Sequence, residues 1–463
     1  MHAHIQIVHT LTDSEDESNE KESSSRKAAC SLAVGIGSFC DPSEYGGLAH
    51  FLEHMLFMGT KRYPSENEFE SFLSRHGGSS NAFTDQEATV FSFDVRAKYL
   101  KGALNRFASF FSEPLMKADS MGRELEAVDS EFVQARTNDG ARLEQLLFHL
   151  ARDGHVTRNF SWGNRKSLIG KDESPENYRK LREKLLKLHK EFYSANCMKL
   201  CVLTGNESLD QTETLVRKLF STIPSRSGPR PCFSSHGSPF EDKTRGTLTV
   251  MSAVKDQHTL RLFWDLKPSI CQDKVNRRAR RDSDHVSGLI GHEGTTGVLA
   301  ALKRRRWATE LSAGVDVEQG WCHNTAFSYF EVSIVLTKEG RSNLNGIVDI
   351  VCAYLGMLRR VGPQKWFWDE DKEIQNAAFR FESREDSYST SENCASNMLT
   401  YCVDHAVFGP YVFSCSSLYL STHIHTHTHT QVRMGRVRTQ EHHRCVVSTS
   451  SIETCRNFKL SKR

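Results

Sequence analysis

Three residues within AHFLEHMLFMGT (49–60) stand at spacings that suit a metal ion. His50 and His54 are four apart, so on a helix they share one face and can present two imidazoles to a single ion, a common pairing for zinc. Glu53 lies close to that face, where it could hydrogen-bond a water held by the ion and take its proton. The order His-x-x-Glu-His is the reverse of the common zincin motif. The plainer alternative is a pair of satisfied histidines on a buried apolar helix. A catalytic zinc needs a third protein ligand and one open position. RELEAVDSEF (123–132) offers Glu124 and Glu131, which are seven apart and share a helix face. Leu125, Ala127, Val128 and Phe132 make that helix largely buried, and a carboxylate there needs a partner.

Alternating strands and helices must position these groups. ACSLAVGIGSF reads as a buried strand, GLAHFLEHMLF as a helix, and ENEFESFLSRHG as an amphipathic helix ending at Gly77. ATVFSFDV (88–95) has the period of a strand, with Thr89, Phe91, Phe93 and Val95 on one face. LKGALNRFASFFSEPL and SMGRELEAVDSEFVQAR predict long helices separated at Pro114, YRKLREKLLKLHKEFY a charged helix, and MKLCVLTG a buried strand. IPSRSGPRPCFSSHGSP holds four of the chain's eleven prolines and reads as a linker. A second unit follows: strands TLTVMSAV and LRLFWDL, helix SGLIGHEGTTGVLAALKRRRW, strand FSYFEVSIVLT and helix NLNGIVDIVCAYLGMLRRVG. The expected fold class is α+β, with mainly antiparallel sheet and not a doubly wound one.

At 463 residues the chain is too long for one core. Its 38% hydrophobic and 25% charged residues are ordinary for a globular protein. The formal net charge of +3 gives no global field pointing to nucleic acid or membrane, and no apolar run approaches a bilayer span. Thirteen scattered cysteines without a CxxC pair read as reduced thiols of a cytoplasmic protein. DSEDESNEKESSS (13–25) has no apolar side chain and reads as a solvated, disordered insert. STHIHTHTHT begins a tail without hydrophobic period. Its Thr-His alternation is what a translated CA-dinucleotide repeat encodes, so the tail is expected to be disordered or read-through sequence, with a metal-binding histidine tract as the alternative. GHEG (291–294) lacks the second histidine of a zinc motif, and NRRARR and KRRRW read as solvated basic stretches.

GLAHFLEHMLFMGTKRYPSENEF, GGSSNAFTDQEATVFSFDV, FFSEPL and RELEAVDSEF together resemble, in order and spacing, the insulinase/pitrilysin family of inverzincin zinc metallopeptidases. The resemblance runs from about residue 28 to about residue 413, and the acidic insert is similar to that of the family's nardilysin branch. It implies tandem homologous αβ-roll domains: a zinc-binding domain over 28–228, a linker over 229–246 and a metal-free second domain over 247–415, flanked by an acidic lead-in (1–27) and the tail (416–463). It implies one Zn2+ held by His50, His54 and Glu131, with Glu53 as general base and Glu124 supporting the site. Asn81, Ala82, Phe83 and Thr84 become the strand that binds the substrate backbone by strand addition. The implied activity is endoproteolysis of peptides, with a preference for paired basic residues attracted by the acidic insert. Relatives carry two further αβ domains in a second half. The implied partners are therefore peptides and either a second copy of this chain or a C-terminal half. The rival function is a catalytically incomplete fragment that binds peptides or regulates a full-length relative. A processing-peptidase subunit is a third option, and it would need a mitochondrial presequence that the N-terminus does not show.

Overall fold

In the computed structural model, residues 5–9, 26–205, 207–226, 228–266, 278–316, 320–383, 385–401, 406 and 445–449 are described. They fall into two compact units, 1–134 with 159–231 and 383–412, and 135–158 with 232–382 and 413–463.

The first unit is built on a five-stranded sheet of order β1-β5-β2-β4-β3, comprising β1 (Ile5–His9), β2 (Lys27–Val34), β3 (Ser79–Thr84), β4 (Thr89–Arg96) and β5 (Met198–Thr204). Strands β2, β3, β4 and β5 pair antiparallel, and β1 alone runs parallel to its neighbour β5. Strand β2 is apolar along nearly its whole length because both of its faces are covered. Its alternation sends Ala28, Cys30, Leu32 and Val34 into the main core, beside Phe91 and Phe93 of β4 and Leu200 and Val202 of β5. Ala33 points the other way, with Val90, Cys201 and Leu203, onto Cys394, Ala395 and Met398 of the helix Ser387–Thr400. Four helices supply the rest of the site's surroundings: α1 (Leu48–Leu56), α2 (Glu68–Arg75), α3 (Leu100–Ser112) and α4 (Ala118–Ala135). Phe69, Phe93, Phe107, Phe110 and Phe111 form a web of edge-on and tilted rings beneath them.

The second unit repeats the plan with a sheet of order β6-β10-β7-β9-β8: β6 (Thr247–Met251), β7 (His258–Leu266), β8 (Ala308–Gly314), β9 (Ser328–Leu336) and β10 (Cys445–Thr449). Leu260, Leu262, Phe330, Val332 and Ile334 pack against Ile290, Val298, Leu302, Ile347 and Val351 of its helices. The inserted strand runs in the opposite sense to its counterpart: β10 is antiparallel to β6 and parallel to β7.

Several elements differ from the sequence expectations. Ile5–His9, inside the expected unstructured lead-in, is an edge strand, while the acidic insert itself (13–25) lies outside the described residues. The single helix expected over 287–307 is two, Arg278–Gly291 and Val298–Arg304. The break contains Gly294 and Gly297, where a Cβ at Gly297 would stand 2.3 Å from the His292 carbonyl oxygen. Residues 385–401, expected within the second domain, pack in the first unit, and 135–158, expected within the first, pack in the second. The tail from 416 lies outside the described residues except for β10, and so do the first two residues of NRRARR.

Candidate metal centre

Helix α1 buries Leu48, Ala49, Phe51, Leu52, Met55 and Leu56 and carries the half-buried His50 and His54 and the buried Glu53 along one edge. An apolar helix therefore carries its polar groups on a single stripe. Its first turn is held from a distance: the buried Asp41 carboxylate accepts hydrogen bonds from the backbone N–H groups of Gly47 (2.8 Å), Leu48 (3.1 Å) and Ala49 (2.8 Å). These are donors that a helix start leaves without intrahelical partners, and a carboxylate there also complements the helix dipole. Gly47 has φ +85°, and a Cβ on it would stand 2.1 Å from the Gly163 Cα. That close approach brings the Trp162 carbonyl onto the helix edge.

The two imidazoles are oriented from behind. His50 Nδ1 donates to the Trp162 carbonyl at 2.6 Å, because a carbonyl can only accept. His54 Nδ1 lies 3.2 Å from Glu124 Oε2 and donates to it. Both Nε2 atoms are thereby left to face the same carboxylate, His50 Nε2 at 3.3 Å from Glu131 Oε2 and His54 Nε2 at 3.6 Å from Glu131 Oε1. Ligands about 2.0–2.1 Å from a tetrahedral ion stand roughly 3.3 Å apart, so this donor set fits zinc. The partners on Nδ1 are of the kind that metal-ligating histidines require.

Glu124 and Glu131 come from α4, which buries Met121, Leu125 and Val128 at spacings of four and three. Seven residues apart, the two acids share the α4 face that meets α1. Phe132 packs edge-on against Phe160 at 5.2 Å, and the Asp129 carboxylate accepts from the Arg165 N–H at 3.0 Å. The same contacts thus hold α4 and the loop that delivers Trp162.

Glu53 is 7% exposed, and its Oε2 accepts from the Thr84 hydroxyl at 2.6 Å. Burial pushes its carboxyl up, opposed by His50, the Thr84 hydrogen bond and His54. Hydrogen bonds from His50 and His54 hold the Glu131 carboxyl far below the usual range. Burial would lower His54, but Glu124 and Glu131 outweigh it and push the imidazole up to about 9. A divalent cation among these groups would compete with protons for the same lone pairs. Ligand atoms of His50, Glu53 and His54 also lie within 4.8 Å of one another, so Glu53 is near enough to take part without being the carboxylate that both Nε2 atoms face.

Asn81, Ala82, Phe83 and Thr84 lie beside α1 on β3, which among the described residues is an edge strand paired with β4 alone. Its side chains alternate between exposed and half-buried, with Phe83 41% exposed. Among the described residues the GHEG histidine joins no such cluster: His292 is exposed and accepts from the Gly294 N–H at 3.0 Å. Sequence reasoning missed Asp41, the Trp162 carbonyl and the glycines between them. The pair Gly46–Gly47 ahead of the helix was the available signal for a close backbone approach.

Fold and donor set define a two-unit αβ protein that carries a His-x-x-Glu-His motif on a helix edge. Residues 18–159 match the insulinase (peptidase family M16) domain and residues 180–374 the peptidase M16 inactive domain. The chain belongs to the insulinase family, peptidase family M16. It is 43% identical over 388 residues to a nardilysin-like protein of Arabidopsis thaliana, across 84% of this chain and 37% of that one. It is 40% identical over 381 residues to nardilysin of Rattus norvegicus, across 82% of this chain and 32% of that one. The crystal structure of pitrilysin superposes with a TM-score of 0.78 at 26% identity, covering 92% of this chain and 42% of that one. The chain thus spans about a third of the length of these curated relatives. No helix among the described residues is long and apolar enough to cross a membrane.

Proposed function

We propose that this chain bears the active site of a zinc metalloendopeptidase, with His50, His54 and Glu131 holding the ion and Glu53 acting as general base. The carrying observation is that both imidazole Nε2 atoms converge on one carboxylate, at 3.3 and 3.6 Å, while both Nδ1 atoms are engaged from behind. Zinc, held by His50, His54 and Glu131, would supply a Lewis acid that makes a water easier to deprotonate near neutral pH. Glu53 takes the proton from the attacking water as it adds to the peptide carbonyl, then returns a proton to the leaving amine. The β3 backbone at Asn81–Thr84 pairs with the peptide as an added strand and sets the scissile bond beside α1. The acidic insert favours substrates with paired basic residues. The thirteen scattered cysteines, without a CxxC pair, favour a cytoplasmic setting.

Metal content tests the ligand set. Wild type is expected to hold one zinc per chain, whereas His50→Ala and Glu131→Gln lose it and Glu53→Gln retains it. Retention by Glu131→Gln with loss from Glu53→Gln would reverse the two acids' roles.

A further inference from the structure

We infer that Thr84 is a positioning residue for Glu53, so that one residue couples the strand proposed to bind substrate to the base proposed to act on it. This deepens the proposed reading and rests on it. Thr84 is the last residue of β3, directly opposite Thr89 of β4. Its hydroxyl has a single proton and two acceptors in reach, Glu53 Oε2 at 2.6 Å and Thr89 Oγ1 at 3.3 Å. Thr89 is fully buried and donates its own proton to the Ile36 carbonyl at 3.0 Å. The Thr84 proton is therefore directed at the shorter, charge-assisted bond to the carboxylate.

The hairpin carrying Thr84 is itself fixed. Asp85 N–H donates to the Ala88 carbonyl at 2.8 Å and closes the turn, while Ser38 and Phe39 N–H groups donate to the Asp85 and Gln86 carbonyls, each at 3.0 Å. Arg230 adds a bond to the Glu87 carbonyl at 3.2 Å. A Cβ on Gly37 would stand 2.0 Å from the Asp85 carbonyl oxygen, so the two loops are in direct contact. The Glu53 carboxyl carbon is three bonds from its Cα and could otherwise rotate toward the imidazoles; the Thr84 hydroxyl fixes one oxygen and aims the other. Because the same residue's backbone lies on the edge strand, a peptide added to β3 is registered against the base through one short connection.

Three variants test this: Thr84→Val, which keeps the shape and removes the hydroxyl, Thr84→Ser, which keeps the hydroxyl, and Glu53→Gln as the reference. The first readout needs no turnover. In protein labelled with 13C at the glutamate carboxyl carbons, the resonance that disappears in Glu53→Gln is expected to shift in Thr84→Val and return in Thr84→Ser. The second is kinetic: kcat falls about 10–100-fold in Thr84→Val with KM and zinc content unchanged, and Thr84→Ser recovers it to within a few-fold. An unmoved Glu53 resonance in Thr84→Val, or a rise in KM alone, overturns the inference. Should wild type turn over no peptide, the peptidase reading fails, and the carboxyl resonance still decides whether Thr84 holds Glu53.

Discussion

His54 is gripped by two carboxylates on opposite edges of its ring: Nδ1 lies 3.2 Å from Glu124 Oε2 and Nε2 3.6 Å from Glu131 Oε1. One helix, α4, supplies both acids from positions seven residues apart. The ring is thus aligned by Glu124 and presented to the position that Glu131 shares with His50. Glu124→Ala is expected to weaken zinc binding about 10–100-fold, as loss of an orienting partner does, while Glu124→Gln, which can still accept from Nδ1, is milder. Competition with a chromophoric chelator measures both. Equal affinity for wild type and Glu124→Ala would make the 3.2 Å contact incidental.

Asp41 supports the site without touching it. Its carboxylate is the acceptor for three N–H groups at the start of α1, and it is 6% exposed. Asp41→Ala is expected to destabilise the protein by about 2 kcal/mol, the scale of a lost helix cap with buried donors left unpaired. Denaturant unfolding of the metal-free protein gives the number, and a change under a few tenths of a kcal/mol would mean that water or a neighbour replaces the carboxylate.

Acid should weaken the fold through buried neutral histidines. Burial pushes His155 down to about 4, and burial followed by Arg226 does the same to His189, from an ordinary 6.5. His155 Nε2 donates to the Gly237 carbonyl at 3.1 Å and Nδ1 accepts from the Thr157 N–H at 3.2 Å, so the neutral ring is satisfied and an added proton would face a donor. The unfolded chain takes up protons first as pH falls below 6.5. The stabilisation is therefore complete above that pH and is lost progressively down to about 4. In chelator-treated protein, His155→Asn should show a shallower fall of Tm between pH 6.5 and 4.5. An unchanged slope would place the acid sensitivity elsewhere.

Much of the first unit is legible because its signals are local and periodic. The four-residue spacing puts His50 and His54 on one edge, and the seven-residue spacing does the same for Glu124 and Glu131. Periodicity cannot tell the two acids apart; in the fold one meets an Nδ1 and the other both Nε2 atoms. Asp41 was illegible because it caps a helix beginning seven residues later, across a loop. The helix Ser387–Thr400 has a short apolar face, and nothing in Cys394, Ala395 and Met398 says which sheet it covers. Strand β8, ATELSAG, was missed because it lacks the β-branched, alternating pattern of a typical strand. The break between the two second-unit helices follows from glycines spaced three apart, which a helical reading of 287–307 overrode.

On the proposed function, this donor set and Glu53 hydrolyse peptide bonds. It is tested most directly by turnover of a quenched fluorescent peptide containing a pair of basic residues, with purified 1–463, a chelator control and Glu53→Gln run in parallel. The expected result is cleavage that the chelator abolishes, that added zinc restores, and that Glu53→Gln lacks while still holding its metal. Cleavage that persists in Glu53→Gln, or that is indifferent to the chelator, would contradict it.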